Sequence, residues 1–426
     1  MQSSGQPQSV SGSGGPSESA SGGAVAGRAA GGSGAQPTGR AGTSASAPSS
    51  QAPGDAKPGD GLANEAGAAG SPTAGPSGGA PSDGTAGDGA GPATAAAGTG
   101  GVMAAAEPGA LSDMQTLIPD ASWTCGMPEG IPGPGTGELV FEIDFTVGDV
   151  HELGETQFGH RTQIDVTGGT VQGTKLDATV MDRGLDYQLT LANGVVELEQ
   201  IHILRAGSAS VLMRNCGLAP DAAGPTRVVL DFEAPNASAV AWLNMGTYIG
   251  VREFSASSKS LTMKVYEVAA AASAMDAVQI PAAPEGPHNT WECAVSSRTR
   301  GAEVYRETVG IGGSVSVGES KRGNRNIIPI TGGTTSGRVP GTVLSGGADF
   351  QIIANGSFEE IDARYSVRTD EGDIIIVRNC GPLGGLVPVF ETAKDGKYAW
   401  LNENNWQSSN PGLGIGAVNL TIYETR

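Results

Sequence analysis

Six short blocks occur twice along the chain in the same order, and this duplication limits the folds open to it more than any other feature. Trp123-Thr124-Cys125 returns as Trp291-Glu292-Cys293, and Arg161 followed by Val166–Thr170 (VTGGT) returns as Arg325 followed by Ile330–Thr334 (ITGGT). GLDYQL from Gly184 answers GADFQI from Gly347, RNCG from Arg214 answers RNCG from Arg378, AWLN from Ala241 answers AWLN from Ala399, and VYE from Val265 answers IYE from Ile422. The offset shrinks only from 168 to 157 residues, so the differences lie in loops. A unit of about 150 residues is long enough to close its own core, which points to two tandem domains rather than a solenoid.

What precedes the repeats is of another kind. Residues 1–108 hold no Phe, Tyr, Trp or Ile, and Leu62 is their only Leu. Such a segment buries too little apolar surface to offset a backbone entropy of about 1 to 2 kcal/mol per residue, so 1–108 is expected to be a disordered Gly/Ala/Ser/Pro-rich tether with a reach of roughly 50 to 60 Å. The expected plan is then a first repeat at 109–268, an Ala-rich linker at 269–275 and a second repeat at 276–426. A net charge of −19 with no basic cluster argues against nucleic acid as a partner. No apolar run approaches the roughly 18 to 20 residues of a transmembrane helix. A monomer with its two repeats packed together is expected.

Within the repeats the pattern is short and alternating. LVFEIDFTV, YQLTLANG, SVLMRNCG and LTMKVYEV interleave apolar and polar residues and are separated by stretches holding Gly, Asn and Asp, the signature of antiparallel strands. An all-β unit of this size hides its strand edges either by closing into a barrel or by packing sheet on sheet. Gly168-Gly169 and Gly332-Gly333 fit turns or bulges that need positive φ; a phosphate loop is disfavoured because no helix follows. Each repeat carries two Cys, separated by 91 and 87 residues, and no CxxC or HxxxH spacing occurs. Pairing Cys125 with Cys216 and Cys293 with Cys380 is expected over metal binding, with buried free thiols as the alternative. Disulfides favour an extracytoplasmic place, secreted or tethered to the cell envelope. Met1 leads into polar Gln2, Ser3 and Ser4 rather than a signal peptide, which keeps a cytoplasmic location as the alternative.

The run from Arg325 through IIPITGGTTSGRVPGTVLSGGADFQ, then EEIDARYSVRTDEGDIIIVRNCG, YAWLN and the terminal IYE closely resembles the domain of unknown function 3237 family. The first repeat is similar more distantly, with RAGSAS (Arg205–Ser210) in place of RTDEGD (Arg368–Asp373). The resemblance implies a small antiparallel β-barrel of lipocalin-like geometry in each repeat, and no reaction.

Site chemistry has to come from polar residues on strands that point inward. Asp349 and its counterpart Asp186 precede an aromatic and could serve as general base or ligand anchor, or as turn residues. Arg325 and Arg161 could hold a ligand carboxylate, or form surface or interdomain ion pairs. Alternation places Asp362, Arg364 and Ser366 on one face and Ala363, Tyr365 and Val367 on the other, where a solvated face is the plainer reading of the charged set. His202 takes the slot of Tyr365 in the first repeat, as a titrating group or a structural one. Trp400 with Asn402, and Trp242 with Asn244, either line a pocket or plug a barrel end while the amide closes a turn. His151, His160 and His288 show no metal-ligand pattern, and neither a metal nor a cofactor is expected. Two function classes follow. A small-ligand binding or interaction module is favoured, and an enzyme acting on a small hydrophobic molecule through an Asp/Arg site in the second repeat is the alternative.

Overall fold

The structure, a computed structural model, describes residues 116–119, 123–125, 137–220, 225–268, 278–279, 293–294 and 299–426. The segment 1–108, the linker 269–275, Trp291 and His288 lie outside them.

Alternating residues make strands throughout the described chain. After β1 (Leu117–Ile118), the first repeat forms β2 (Glu138–Glu155), β3 (His160–Gly173), β4 (Ala178–Val180), β5 (Gly184–Thr190), β6 (Val196–Ala206), β7 (Ala209–Ala219), β8 (Thr226–Glu233), β9 (Thr247–Ser255) and β10 (Ser260–Val268). The ladders run β2-β10-β9-β8-β7-β6-β5-β3 and return to β2, a closed antiparallel barrel, with β4 bridging β3 and β6. Next, β11 (Val278–Gln279) pairs in parallel with β1.

The second repeat follows the same plan through β12 (Arg300–Ile311), β13 (Val315–Ser320), β14 (Gly323–Gly337), β15 (Gly341–Val343), β16 (Ala348–Ala354), β17 (Ser357–Thr369), β18 (Ile374–Gly381), β19 (Val387–Glu391), β20 (Trp406–Ser408), β21 (Gly412–Gly414) and β22 (Ala417–Thr425). Its ring runs β12-β22-β20-β19-β18-β17-β16-β14 and back to β12. The β19/β20 seam is closed by the Ser408 N–H, which donates to the Leu386 carbonyl at 3.1 Å. Closure removes the strand edges that the sequence left to be hidden. The paired glycines behave as expected. A Cβ on Gly169 or Gly333 would collide with the carbonyl of Asp144 or Thr308 on the neighbouring strand, and the ladder slips by a residue beside each pair.

Each barrel has its own core, around Phe141, Phe232 and Tyr248 in the first and Tyr305, Phe390 and Trp406 in the second. Cys125 is bonded to Cys216 and Cys293 to Cys380, with Cα atoms 6.1 and 5.3 Å apart. The AWLN block is not strand: it forms a single 3-10 turn in both repeats, with Leu243 and Leu401 as the buried residues.

The outward faces of several strands are covered by the other barrel. Ile201, Ile203 and Leu212 of the first pack with Val315, Val317, Ile327, Ala348 and Phe350 of the second in one buried cluster. Around it the two repeats make the same contacts in exchange. The Arg161 guanidinium and the Thr156 hydroxyl donate to Glu391 at 2.9 and 2.7 Å. Their counterparts Arg325 and Ser320 donate to Glu233, the counterpart of Glu391, at 2.9 and 3.0 Å. Likewise the Lys394 N–H donates to the Glu155 carbonyl at 2.8 Å, and the Asn236 N–H to the Glu319 carbonyl at 2.7 Å.

Candidate functional site

The second barrel encloses a cavity of about 430 Å³ with largely apolar walls, among them Ile328, Ile330, Ile361 and Leu420. Alternation along β16 turns Asp349 and Gln351 inward while Ala348 and Phe350 face the first barrel. Asp349 is only partly exposed, and its Oδ2 accepts from Gln351 Nε2 at 2.6 Å. Gln351 is held in turn by Asn326, whose Nδ2 donates to Gln351 Oε1 at 2.8 Å. The other oxygen, Asp349 Oδ1, is buried with no partner at hydrogen-bond distance among the described residues. Burial pushes the carboxyl up to about 7 against the opposing hydrogen bond from Gln351.

Asn379 supplies a second acceptor. The Ser408 hydroxyl donates its proton to the Ser409 carbonyl at 3.0 Å, so its oxygen accepts from Asn379 Nδ2 at 3.0 Å. In this arrangement buried Asn379 Oδ1, at the cavity wall, has no partner among the described residues. Tyr365 also lines the cavity, and its hydroxyl donates to Glu307 Oε2 at 2.7 Å. Tyr305 donates to the other oxygen of Glu307 at 3.2 Å. Burial raises the Glu307 carboxyl to about 7 despite both phenols. At the rim, Phe358, Leu383 and Leu413 are exposed, Leu413 by 87%. An exposed apolar rim around an apolar hollow is an entrance that water covers poorly.

The first barrel fills the equivalent space with its own side chains. Asp186 stands across the ladder from Gln200, as Asp349 stands across from Ala363. Gln200 Nε2 donates to Asp186 Oδ2 at 2.6 Å, and the Arg252 guanidinium makes a short contact with the same oxygen. His202 lies against Phe145, ring centroids 4.7 Å apart, in room left by Gly184, where a Cβ would strike the imidazole. Burial, then the charge of Arg252, lowers the His202 pKa to about 3 and keeps the ring neutral. In the second barrel the β9 equivalent is broken between β20 and β21 by Ser409-Asn410-Pro411, Ala363 replaces the glutamine, and among the described residues no Lys, Arg or His lines the cavity.

A family model described as a protein of unknown function (DUF3237) matches residues 136–268 and 302–385, one stretch in each barrel and half of the chain in all. The chain belongs to the DUF3237 family. A UPF0311 protein of Bradyrhizobium diazoefficiens is 40% identical to it over 128 residues, a match spanning 25% of this chain and 84% of that protein. A UPF0311 protein of Rhodopseudomonas palustris is 41% identical over 95 residues, or 22% of this chain and 62% of that protein. The crystal structure of a β-barrel-like protein from Acinetobacter baumannii aligns with 31% of this chain and 93% of its own length, at 21% identity and a TM-score of 0.28.

Of the residues singled out from the sequence, the second DUF3237 repeat brings only Asp349 and Tyr365 to the cavity. Arg325 is bound to Glu233 between the barrels, as Arg161 is to Glu391. Arg364 pairs with Asp362 at 3.1 Å and, across the interface, with Glu199. Ser366 bonds Gln163 of the first repeat. The alternation of β17 therefore holds, and its charged face is buried against the neighbouring barrel instead of solvated. Asn402 and Asn244 close turns: each side chain accepts from and donates to the backbone of one residue, Thr392 at 3.0 Å and Ala234 at 2.8 Å. Trp400 stacks edge-on against Trp406 with centroids 5.4 Å apart and carries Arg338 on its face, away from the cavity walls; Trp242 packs similarly on Tyr248. His151 bonds Asp165 and His160 bonds Glu152. Gln351, Asn379 and Glu307 were missed. The first two had a signal: Asp-x-Gln keeps period two in both GLDYQL and GADFQI, and Asn recurs in both RNCG blocks. Glu307 stands where the first repeat has Ile143, and the repeat comparison gives no sign of it.

Proposed function

We propose that the second barrel is a small-ligand binding module and the first its filled structural partner. The observation that carries this reading is the contrast between two barrels of one plan. Gln200, His202 and Arg252 occupy the interior of the first, whereas the second replaces them with Ala363, Tyr365 and a broken strand and holds an open apolar cavity with a few inward polar groups. The reading is tested with a neutral apolar probe. 1-Naphthalenemethanol should saturate one site per chain in a fluorescence titration, and Ala363→Gln and Leu420→Trp should each weaken it by about tenfold or more, since they fill the hollow. Unchanged affinity in both filled variants, with near-UV dichroism intact, would defeat the reading.

An enzyme is the second reading and rests on Asp349, whose carboxyl near 7 suits proton transfer at neutral pH. The Asp/Arg pair expected from the sequence is not assembled, because Arg325 and Arg364 are engaged between the barrels. Turnover of any bound compound that persists in Asp349→Asn would remove this reading. The two disulfides support a place outside the cytoplasm; four free thiols after oxidising expression would count against it.

A further inference from the structure

We propose that the cavity of the second barrel takes a protonated nitrogen base on an apolar skeleton, its N–H donors meeting Asp349 Oδ1 and Asn379 Oδ1. This rests on the binding reading above and adds the chemistry of the ligand.

The first observation is a rung of three residues. Asp349 on β16 stands opposite Ala363 on β17, and Ala363 opposite Asn379 on β18. All three line the cavity. Neighbouring strands lie about 4.8 Å apart, so two acceptor-bearing side chains flank a gap of roughly 10 Å whose middle residue is only a methyl group. Both outer residues present a buried oxygen with no partner among the described residues. Their other polar atoms are already committed, to Gln351 and to Ser408. A buried acceptor without a donor costs about 1 to 3 kcal/mol, and an ionised one more, so what completes the rung must donate.

The second observation is what meets the carboxylate of this rung in the first barrel, where Asp186 Oδ1 and the Asn215 amide also have no partner among the described residues and the difference lies in the donors on Asp186 Oδ2. There the rung is Asp186, Gln200 and Asn215. Asp186 receives one N–H from the amide of Gln200 and another from the guanidinium of Arg252. The protein itself therefore supplies a nitrogen cation and N–H donors to this carboxylate position when the barrel is filled. Substituting Ala363 for the amide and interrupting the strand that carries the arginine opens the cavity; Gln351 takes over the amide donor, and no cation replaces the arginine among the described lining residues. A ligand with a protonated amine would restore the charge and the hydrogen bonds, while its apolar skeleton would occupy the Ile, Leu and Val walls. An anion would instead meet a carboxylate with no cation beside it among the lining residues. A neutral hydroxyl would satisfy a lone pair and leave the buried charge uncompensated. The net charge of −19 favours approach of cations over anions.

The test uses the full chain and three compounds with one ring system: 1-naphthylmethylamine, 1-naphthalenemethanol and 1-naphthoate, titrated calorimetrically near pH 8. The amine should bind about tenfold or more tighter than the alcohol, and the naphthoate should not saturate. Asp349→Asn, nearly isosteric, should cost the amine about tenfold and leave the alcohol within about threefold; Asn379→Leu should cost the amine about threefold or more, which tests the second acceptor independently. Equal affinity for amine and alcohol, tighter binding of naphthoate, or an amine preference that survives both substitutions would overturn the proposal while the saturating alcohol keeps the cavity reading. If none of the three saturates, the cavity reading fails and takes this proposal with it.

Discussion

Asp186 and Asp349 are the same residue type at the same ladder position in a duplicated fold, and their surroundings set them to different tasks. Asp186 is held by an amide and a guanidinium. For Asp349 burial, joined by the like charge of Asp362, outweighs the Gln351 amide, the Asp362 backbone N–H and Arg325, so its carboxyl rises to about 7. An unfolded Asp titrates near 3.9. Below about pH 4 the group is protonated in both states and has no effect. Between about 4 and 7 the native state keeps a proton that the unfolded state loses, so stability falls as pH rises through this window. Glu307, also near 7, acts in the same direction. Asp231 and Asp362 oppose them at the acid end: guanidinium and ammonium partners hold Asp231 down to about 2 and Asp362 lower still, so the stability they give is lost as pH falls below about 4. By these four groups the unliganded chain should therefore be most stable near pH 4 to 5, at the lower end of that window. Asp349→Asn should raise stability at pH 8 by on the order of 2 kcal/mol, allowing for the water the cavity admits, and leave it unchanged near pH 4. Urea melts of both proteins at the two pH values check this; a gain at pH 4 equal to that at pH 8 would contradict it.

At the scale of elements, what the sequence made legible was what period two controls. The alternation of β17 correctly separated Asp362, Arg364 and Ser366 from Ala363, Tyr365 and Val367; for Asp349 the sequence left an inward carboxylate and a turn residue both open, and β16 turns it to the cavity. It could not say what lies over the outer face, because an Asp-x-Arg pair reads alike whether water or a second barrel covers it. The Asp349, Ala363, Asn379 rung was hidden for another reason: its members are 14 and 16 residues apart, and only strand register brings them together. In AWLN the Trp-x-Asn spacing also fits period two, yet Leu243 and Leu401 turn inward from a 3-10 turn and the Asn amide binds a backbone ten residues earlier, the turn-closing alternative. The cysteines were legible because duplication fixed their partners. Cys125 and Cys216 lie in a buried cluster with Trp123, Leu189 and Val229, and Cys125 tethers a short lead-in segment to β7. Closing a loop of 91 residues is worth about 4 to 5 kcal/mol in the chain-entropy model. Replacing Cys125 and Cys216 together by Ser should lower the calorimetric unfolding temperature by several degrees without changing the second disulfide; an unchanged temperature would show that the bond constrains nothing the fold does not already hold.

For the molecule as a whole, the exchanged contacts mean that the two repeats meet as copies in an isologous dimer do, with Arg161 and Thr156 on Glu391 and Arg325 and Ser320 on Glu233. Covalent linkage lets such copies diverge without losing the pairing, so one interior is filled while the other stays open. The same symmetry says what a separated repeat should do. Residues 276–426 alone would expose Val315, Val317, Ile327 and Phe350 and leave Arg325 and Arg364 without their first-barrel carboxylates. Removing one side of a buried ion pair costs about 3 to 5 kcal/mol. A second copy offers the remedy, because the repeat also carries Glu391, the residue that receives Arg161 in the full chain. The isolated second repeat should therefore sediment as a dimer at micromolar concentration, with Arg325 of each copy on Glu391 of the other. Glu391→Arg should abolish that dimer through like charge, and adding Arg325→Glu in the same chain should restore it by exchanging the two signs. A stable monomer, or a dimer indifferent to both changes, would show that the face joining the barrels is not self-complementary and that the pairing depends on residues the two repeats no longer share.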